Sequence, residues 1–388
     1  MYNFNYYNPT RIIFGKDKLD SIDKYVPADA KVLITYGGGS AKRSGLIDKV
    51  TSALGKRAVY EFGGIEPNPR CETLARAAAL VREKGVDFML AVGGGSVIDG
   101  TKFIALAACY DGKAEDLLGY GFMGVPLDVV GRTIPFGAVL TLPATGSEMN
   151  YNAVVSHGTG KFAISSPIVF PQFSILDPTL TFTLPAIQVA NGIVDAFVHV
   201  MEQYMTYPVD ARAQDRFAEG LLLTLIEIGE TSVREPENYD VRANHVWCAT
   251  LALNGLIGAG VPQDWTSHSL GHELTARFGI DHGQTLAVVL PSVLEIRREQ
   301  KRAKLLQYAE RVWGIKEGAE DERIDKAIAK TRTFFRSLGI KTRLSEYGVS
   351  ADQIPVIVEQ LKAHGMTALS ETGDLTPEIS RKILENAF

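Results

Sequence analysis

The stretch FMLAVGGGSVIDGTKFIALAA, Phe88 to Ala108, holds a buried strand, a glycine loop and a helix in immediate succession. Phe88 to Val92 is uninterruptedly apolar, as a strand covered on both faces must be, and Val97 to Ala108 takes helical spacing. Between them Gly93-Gly94-Gly95-Ser96 turns so that free backbone N–H groups and the positive end of a helix dipole face outward, the geometry that cradles a phosphate. The loop is neither GxGxxG nor a Walker lysine loop. A tight strand-to-helix turn explains a lone triple glycine almost as well, so the anion reading needs support from elsewhere in the chain.

Outward from this stretch, short apolar and β-branched runs recur, each closed by glycine, proline or serine: Arg11 to Phe14, Lys31 to Tyr36, Ala58 to Phe62, Phe136 to Leu142, Val154 to Ser156 and Phe173 to Leu176. Helical patterns such as Glu72 to Lys84 lie between them. Strands alternating with helices predict an α/β domain with a doubly wound, mostly parallel sheet. From about Pro185 the helical period takes over, in Ala186 to Met205, Ala211 to Glu227, Val241 to Leu256, Asp264 to Phe278 and Ile324 to Ser337. Two domains are therefore expected, an α/β domain over residues 1–183 and an all-helical one over 184–388, joined at the turn-rich Asp177 to Pro185. No internal repeat or low-complexity segment interrupts either.

Two more strand exits carry polar loops. Gly37-Gly38-Gly39-Ser40 follows the strand ending at Tyr36, where a dinucleotide fold meets the adenosine ribose and an acidic side chain would accept the hydroxyls of NAD. No acid occurs in this loop. Glycine leaves room for a 2'-phosphate, Ser40 can donate to it, and Lys42 and Arg43 supply charge, so NADP(H) is favoured over NAD(H); an ordinary turn is the alternative. Thr141 to Glu148 again leaves a strand with hydroxyls and glycine, at the end of the sheet where ligands gather.

Seven histidines are few, and their placement is uneven. Asp195 and His199 stand four apart in a helical segment and so project from one face, and His268 and His272 repeat that spacing. His282 follows the Gly279 break. One carboxylate with two or three imidazoles from two helices and a loop makes a divalent metal site with one position open to a substrate oxygen. For any single histidine an ordinary core or surface role is the better reading, and it is the grouping that argues otherwise. HxxxH followed by Glu273 is not the zinc-protease pattern, which holds its Glu inside the pair. His157, His245 and His364 have no partner at ligand spacing.

Bulk properties exclude several classes. A formal net charge of -5 and no long Lys/Arg block argue against nucleic acid. No apolar run reaches membrane-spanning length, and Met1 to Thr10 lacks the basic and apolar regions of a signal peptide, which predicts a cytoplasmic protein. Cys71, Cys109 and Cys248 are odd in number, widely spaced and expected to be buried small hydrophobes in a reducing compartment.

Phe14-Gly15, Gly63 to Pro69, Gly93-Gly94-Gly95-Ser96-Val97-Ile98-Asp99, Asn254 to Trp265 and the set Asp195, His199, His268 and His282 together resemble the iron-containing alcohol dehydrogenase family, in its butanol dehydrogenase and NADPH-dependent aldehyde reductase branch. The resemblance covers essentially the whole chain. It implies the iron-containing alcohol dehydrogenase (dehydroquinate synthase-like) fold, with catalysis between a dinucleotide-binding domain and a metal-holding helical domain. It implies Asp195, His199, His268 and His282 as ligands of one Fe²⁺ or Zn²⁺ per chain, with His272 nearby and not coordinating. It further implies Gly37, Gly38 and Ser40, with Gly39, at the adenosine end and Gly94, Gly95 and Ser96, with Gly93 and Asp99, around the pyrophosphate. Thr141 and Thr145 would lie near the nicotinamide and Lys161 on the ribose side. A homodimer is common in the branch.

The expected activity is reversible reduction of short- to medium-chain aldehydes to primary alcohols. The cofactor supplies the hydride, a divalent ion polarises the carbonyl, and His272 or a water at the ion supplies the proton. Apolar residues near the expected ligands, Phe197, Leu253, Leu256, Ile257, Val261 and Trp265, suit an apolar aldehyde. Three rivals are weaker. A dehydroquinate-synthase-like lyase needs cationic side chains for an acidic substrate, a cofactor-free metallohydrolase leaves the glycine loops without purpose, and a non-catalytic metal-binding protein has no need of an open coordination position.

Overall fold

The computed structural model describes residues 1–118 and 130–388. They form two compact units, Tyr7–Thr183, and Leu184–Phe388 together with Met1–Tyr6. The first six residues thus go with the helical unit, whereas the sequence pattern groups them with the strands that follow. The reason is local bonding: the Tyr2 amide donates to Gly260 O at 2.9 Å and the Tyr2 and Tyr207 hydroxyls meet at 2.7 Å.

The α/β unit contains β1 (Arg11–Phe14), β2 (Lys31–Tyr36), β3 (Ala58–Phe62), β4 (Phe88–Gly94), β5 (Phe136–Leu142), β6 (Asn152–His157), β7 (Gly160–Ser165) and β8 (Phe173–Leu176), with helices α1 (Ser40–Arg43), α2 (Leu46–Ala53), α3 (Cys71–Lys84) and α4 (Gly95–Ala107). Six strands make one sheet in the order β1-β8-β5-β4-β2-β3, every pair parallel. The inner strands β4 and β8 are buried along nearly their whole length, and the edge strands β1 and β3 are mostly exposed or half-buried. Apolar residues at alternate positions, Val32 and Ile34, Phe88, Leu90 and Val92, share one core with Ile47 and Val50 of α2.

The chain passes from β2 to β3 on one side and returns to β4 on the other, so the connection direction reverses between β2 and β4. In open α/β sheets this reversal opens a crevice at the carboxyl ends of the strands. Both triple-glycine loops leave the sheet there. β6 and β7 form a separate antiparallel hairpin with Gly158 in the left-handed conformation at its turn. The sequence reading finds β6 but not β7, whose alternation of buried Phe162 and Ile164 is carried by only six residues.

The second unit is helical: α5 (Ala186–Tyr204), α6 (Arg212–Arg234), α7 (Tyr239–Ala252), α8 (Thr266–Phe278), α9 (His282–Ile296), α10 (Arg298–Arg311), α11 (Glu320–Ser337), α12 (Gln353–Ala363) and α13 (Pro377–Asn386). α5 is buried on all sides from Val189 to Tyr204, with α6, α7 and α9 packed around it. A helix apolar on every face must be central, and the polar residues it does carry stand out for that reason. Phe197 anchors this core against Phe334 and Phe335 at ring separations of 5.5 and 5.4 Å. Leu270, Leu274, Val288, Ile357 and Leu361 build a second core among α8, α9 and α12.

Among the described residues no helix is long and apolar enough to cross a membrane. Cys71 and Cys248 are buried, and burial pushes both thiols up to about 12. Cys109, expected to be buried as well, is only half-buried, just past the end of α4.

Candidate functional site

In the helical unit the polar residues of α5 recur at helical spacing: Asp195, His199 one turn later and Glu202 a further turn on, each nine-tenths or more buried. α8 brings His268 and His272, and His282 is the first residue of α9. Two glycines allow these helices to meet. Gly279 takes the left-handed conformation that ends α8 (φ +68°). Gly283 lies directly against α5, where an added Cβ would sit 2.5 Å from Asn191 O and 2.9 Å from Asn191 Cα. The Asn191 amide also donates to Asp281 Oδ2 at 2.9 Å, fixing the start of α9.

The result is a convergence on one oxygen. His199 Nε2, His268 Nε2 and His282 Nε2 lie 3.6, 3.7 and 3.7 Å from Asp195 Oδ1. These separations are too long for hydrogen bonds. Donors at metal–ligand lengths of about 2.0–2.2 Å on a tetrahedron stand about 3.3–3.6 Å apart, so the spacing fits a shared cation. Asp195 Oδ1 and His268 Nε2 are buried and have no hydrogen-bond partner among the described residues, a costly arrangement unless an ion satisfies them.

Asp195, His268 and His282 form the group whose donor atoms all lie within 4.8 Å of one another. His199 approaches Asp195 as closely as they do, and its ring stacks on His268 at 4.6 Å, but it stands outside that three-residue group. Burial opposes ionisation of Asp195, yet the imidazoles of His199, His268 and His282 outweigh it and hold the carboxyl well below the usual range. His272 is half-buried beside the group, its ring centroid 5.0 Å from His282 and 6.0 Å from His268. The Trp265 ring is steeply inclined to those of His199 and His268, with centroids 6.2 and 5.4 Å away. Phe197, expected near the ligands, points into the aromatic core instead, and Ile257 belongs to that core too.

Glu202 is the residue of this centre that spacing of histidines alone does not reveal. Its Oε2 accepts from His268 Nδ1 and its Oε1 from the His268 backbone N–H at 3.1 Å. The signal was present, since it continues the Asp195 and His199 face by three residues, but its partner lies on another helix.

In the α/β unit the loop Gly93-Gly94-Gly95 is crowded by its neighbours. A Cβ on Gly93 would lie 2.5 Å from Val97 Cγ2, one on Gly94 3.0 Å from Leu142 Cβ and one on Gly95 2.4 Å from Thr145 Oγ1. α4 begins at Gly95 with no side chain capping it. Ser96 Oγ accepts from the Asn68 N–H at 3.3 Å. Asp99 accepts from Ser147 Oγ at 2.5 Å and from the Val154 N–H at 2.9 Å, and the buried Lys102 ammonium donates to Ser147 Oγ, Asn150 Oδ1 and Asn152 O. This network braces the segment that follows Thr141 and Thr145. Lys161, on β7, donates to Asn68 Oδ1 at 2.8 Å.

Around Gly37 and Gly38 the space differs from one residue to the next. A Cβ on Gly37 would approach Ile65 O at 3.3 Å, whereas one on Gly38 would meet nothing within 4 Å. Gly39, in the left-handed conformation, leads into Ser40 at the start of α1. Lys42 is not the unengaged cation that the local sequence suggests, because Glu61 of β3 pairs with it and accepts from Tyr36 OH at 3.0 Å. An acid therefore does stand beside this loop; parallel pairing of β2 and β3 brings it from 19 residues beyond Lys42.

Comparison with known proteins agrees along the whole chain. The iron-containing alcohol dehydrogenase model matches residues 9–178, and the C-terminal model of the Fe-containing alcohol dehydrogenase family matches residues 189–373. The NADPH-dependent aldehyde reductase YqhD of Escherichia coli is 59% identical over 389 residues, covering all of both chains. A probable NADH-dependent butanol dehydrogenase of Bacillus subtilis is 41% identical, over 94% of this chain and 95% of its own. Among solved structures, the substrate- and cofactor-free aldehyde reductase YqhD of E. coli superposes with a TM-score of 0.92 at 56% identity, with full coverage of both chains. The NADH-dependent butanol dehydrogenase A of Thermotoga maritima gives 0.93 at 32% identity, over 100% of this chain and 99% of that one.

Proposed function

The chain belongs to the iron-containing alcohol dehydrogenase family, and we propose that it reduces short- to medium-chain aldehydes to primary alcohols, reversibly and with NADPH. The observation that carries this reading is the approach of three imidazole Nε2 atoms to the single oxygen Asp195 Oδ1. Asp195, His199, His268 and His282 would hold one divalent cation, Zn²⁺ or Fe²⁺, a donor set of imidazoles and carboxylate that suits either. When bound, the cation supplies Lewis acidity toward a carbonyl oxygen and the dinucleotide supplies the hydride.

The protein's own residues prepare the rest. Gly94, Gly95 and Ser96 at the open start of α4 are suited to a pyrophosphate, with Gly93 admitting close approach of the backbone. The clear space at Gly38, with Gly37, Gly39 and Ser40 around it, suits a 2'-phosphate, and Asp99 and Lys102 keep the segment beyond Thr141 and Thr145 in place for the nicotinamide end. Trp265 walls the ligand histidines on one side and limits water there. His272, whose ring lies 5.0 Å from that of His282, would give the product oxygen its proton from a ring nitrogen.

The test is consumption of NADPH with butyraldehyde, before and after chelation verified by metal analysis. Loss of turnover on chelation and its return with Zn²⁺ or Fe²⁺ is the expected outcome. Turnover that survives verified removal of metal would sink the proposal.

A further inference from the structure

We infer that Glu202 is a positioning residue that fixes His268 as a metal ligand, through its hydrogen bonds to the ring Nδ1 and the backbone N–H of that histidine. The inference rests on reading the Asp195 group as a metal centre, and it adds a residue that neither the spacing of the histidines nor the family resemblance supplies.

Both carboxylate oxygens of Glu202 are spent on one residue of a different helix. Oε2 accepts a hydrogen bond from Nδ1 of His268 and Oε1 one from its main-chain N–H. A carboxylate accepts, so Nδ1 carries the hydrogen and Nε2 is the nitrogen left to give a lone pair to a cation. That nitrogen is buried, has no hydrogen-bond partner among the described residues and lies 3.7 Å from Asp195 Oδ1. This is the tautomer that coordination requires, and a carboxylate behind an imidazole also makes it a stronger donor. The two bonds set the ring's rotation as well as its protonation, because a residue gripped at main chain and side chain together cannot turn about χ1 without breaking one of them.

Glu202 is itself held. Its carbonyl accepts from the Asp264 N–H at 2.8 Å, and Asp264 Oδ1 accepts from the Thr266 N–H and hydroxyl at the first turn of α8. Asp264 Oδ2 pairs with the buried ammonium of Lys301 at 2.8 Å, which reaches Met205 O at 2.7 Å and Glu371 at 3.1 Å. The start of α8 is thereby fastened to α5 one turn before His268 appears. A role confined to joining two helices would need only one of the Glu202 bonds and no particular ring nitrogen.

The experiment compares wild type with Glu202→Gln and Glu202→Ala as metal-stripped, folded proteins. Zn²⁺ affinity is measured by competition with a chromophoric chelator, the visible spectrum is recorded after loading with Co²⁺, and thermal unfolding is followed with and without metal. Glutamine keeps the size and one acceptor but loses the charge, so affinity is expected to fall about 10-fold in Glu202→Gln and about 100-fold in Glu202→Ala, with a shifted Co²⁺ spectrum in both. Variants that lose metal-free stability yet keep wild-type Zn²⁺ affinity and Co²⁺ spectrum overturn the inference and leave only a helix-joining role. If Glu202→Ala does not fold, Glu202→Gln decides alone by the same two readings. Wild type that takes up neither ion overturns the metal-centre reading itself, and the inference with it.

Discussion

Replacing Gly283 by alanine tests whether α9 is held against α5 as closely as the metal centre needs. In a helix the exchange of glycine for alanine ordinarily stabilises, by about 0.5–1 kcal/mol, and Gly283 has an ordinary negative φ, so the backbone itself permits it. The surroundings do not. The new Cβ would lie 2.5 Å from Asn191 O and 2.9 Å from Asn191 Cα, whereas ordinary contact begins at 3.4 Å, and both atoms are main chain that cannot rotate away. Relief requires the first turn of α9 to retreat by roughly 1 Å, and His282 retreats with it. Overpacking of this kind costs about 1–3 kcal/mol, and a misplacement of about 1 Å at a catalytic group costs about 100-fold in rate. Gly283→Ala should therefore lower the unfolding temperature, weaken Zn²⁺ retention and reduce kcat/KM for butyraldehyde by one to two orders of magnitude. Gly220 on α6 is the control: nothing lies within 4 Å of its Cβ position, so Gly220→Ala should raise stability and leave activity alone. If Gly283→Ala keeps wild-type metal content and a kcat/KM within about threefold, the close approach of α9 to α5 does not set the position of His282.

Three further outcomes are expected. Glu61→Gln releases Lys42 and should tighten NADPH binding to the protein by a few-fold, a modest gain because the pair is exposed, without changing NADH binding; equal effects on both coenzymes would place Lys42 away from the 2'-phosphate. His245 is wholly buried, with neither ring nitrogen hydrogen-bonded among the described residues, and burial, aided by Arg242, pushes its pKa from 6.5 down to about 3. The unfolded chain therefore takes up a proton that the folded one refuses. Stability drops by at most about 1.4 kcal/mol per pH unit as pH falls from 6.5 toward 3 and is unaffected above that window, so His245→Leu should flatten the acid limb of a urea-midpoint profile; parallel limbs would contradict this. His272→Phe should change the pH dependence of aldehyde reduction, and an unaltered profile would exclude it as the proton source.

What the sequence disclosed depended on range. The strand, loop and helix of Phe88 to Ala108 are legible because each is a local pattern, although the observed β4 runs two residues further, to Gly94, and α4 spans Gly95–Ala107 rather than Val97 to Ala108. The joint ahead of Pro185 is legible as turn chemistry. The convergence of Asp195, His268 and His282 could be suspected from i, i+4 pairs, but Gly283 against Asn191, which makes it possible, is a contact between helices that no periodicity encodes. Glu61 escaped for the same reason: it becomes a neighbour of Lys42 only once β2 and β3 pair in parallel. Phe197 shows the opposite error. It stands two residues from both Asp195 and His199 in the sequence, but positions two apart on a helix face different ways.

The polypeptide crosses between its two units twice, after Tyr6 and again after Thr183. The sheet-bearing part is in effect an insert within the helical part, and a single proteolytic nick at either crossing leaves the halves tethered through the other. Cutting the gene after Thr183 to express the carboxyl-terminal half would strip it of the arm whose Tyr2 bonds Gly260 and Tyr207. A faithful stand-alone version would have to be a permuted chain, with that arm restored through a new linker.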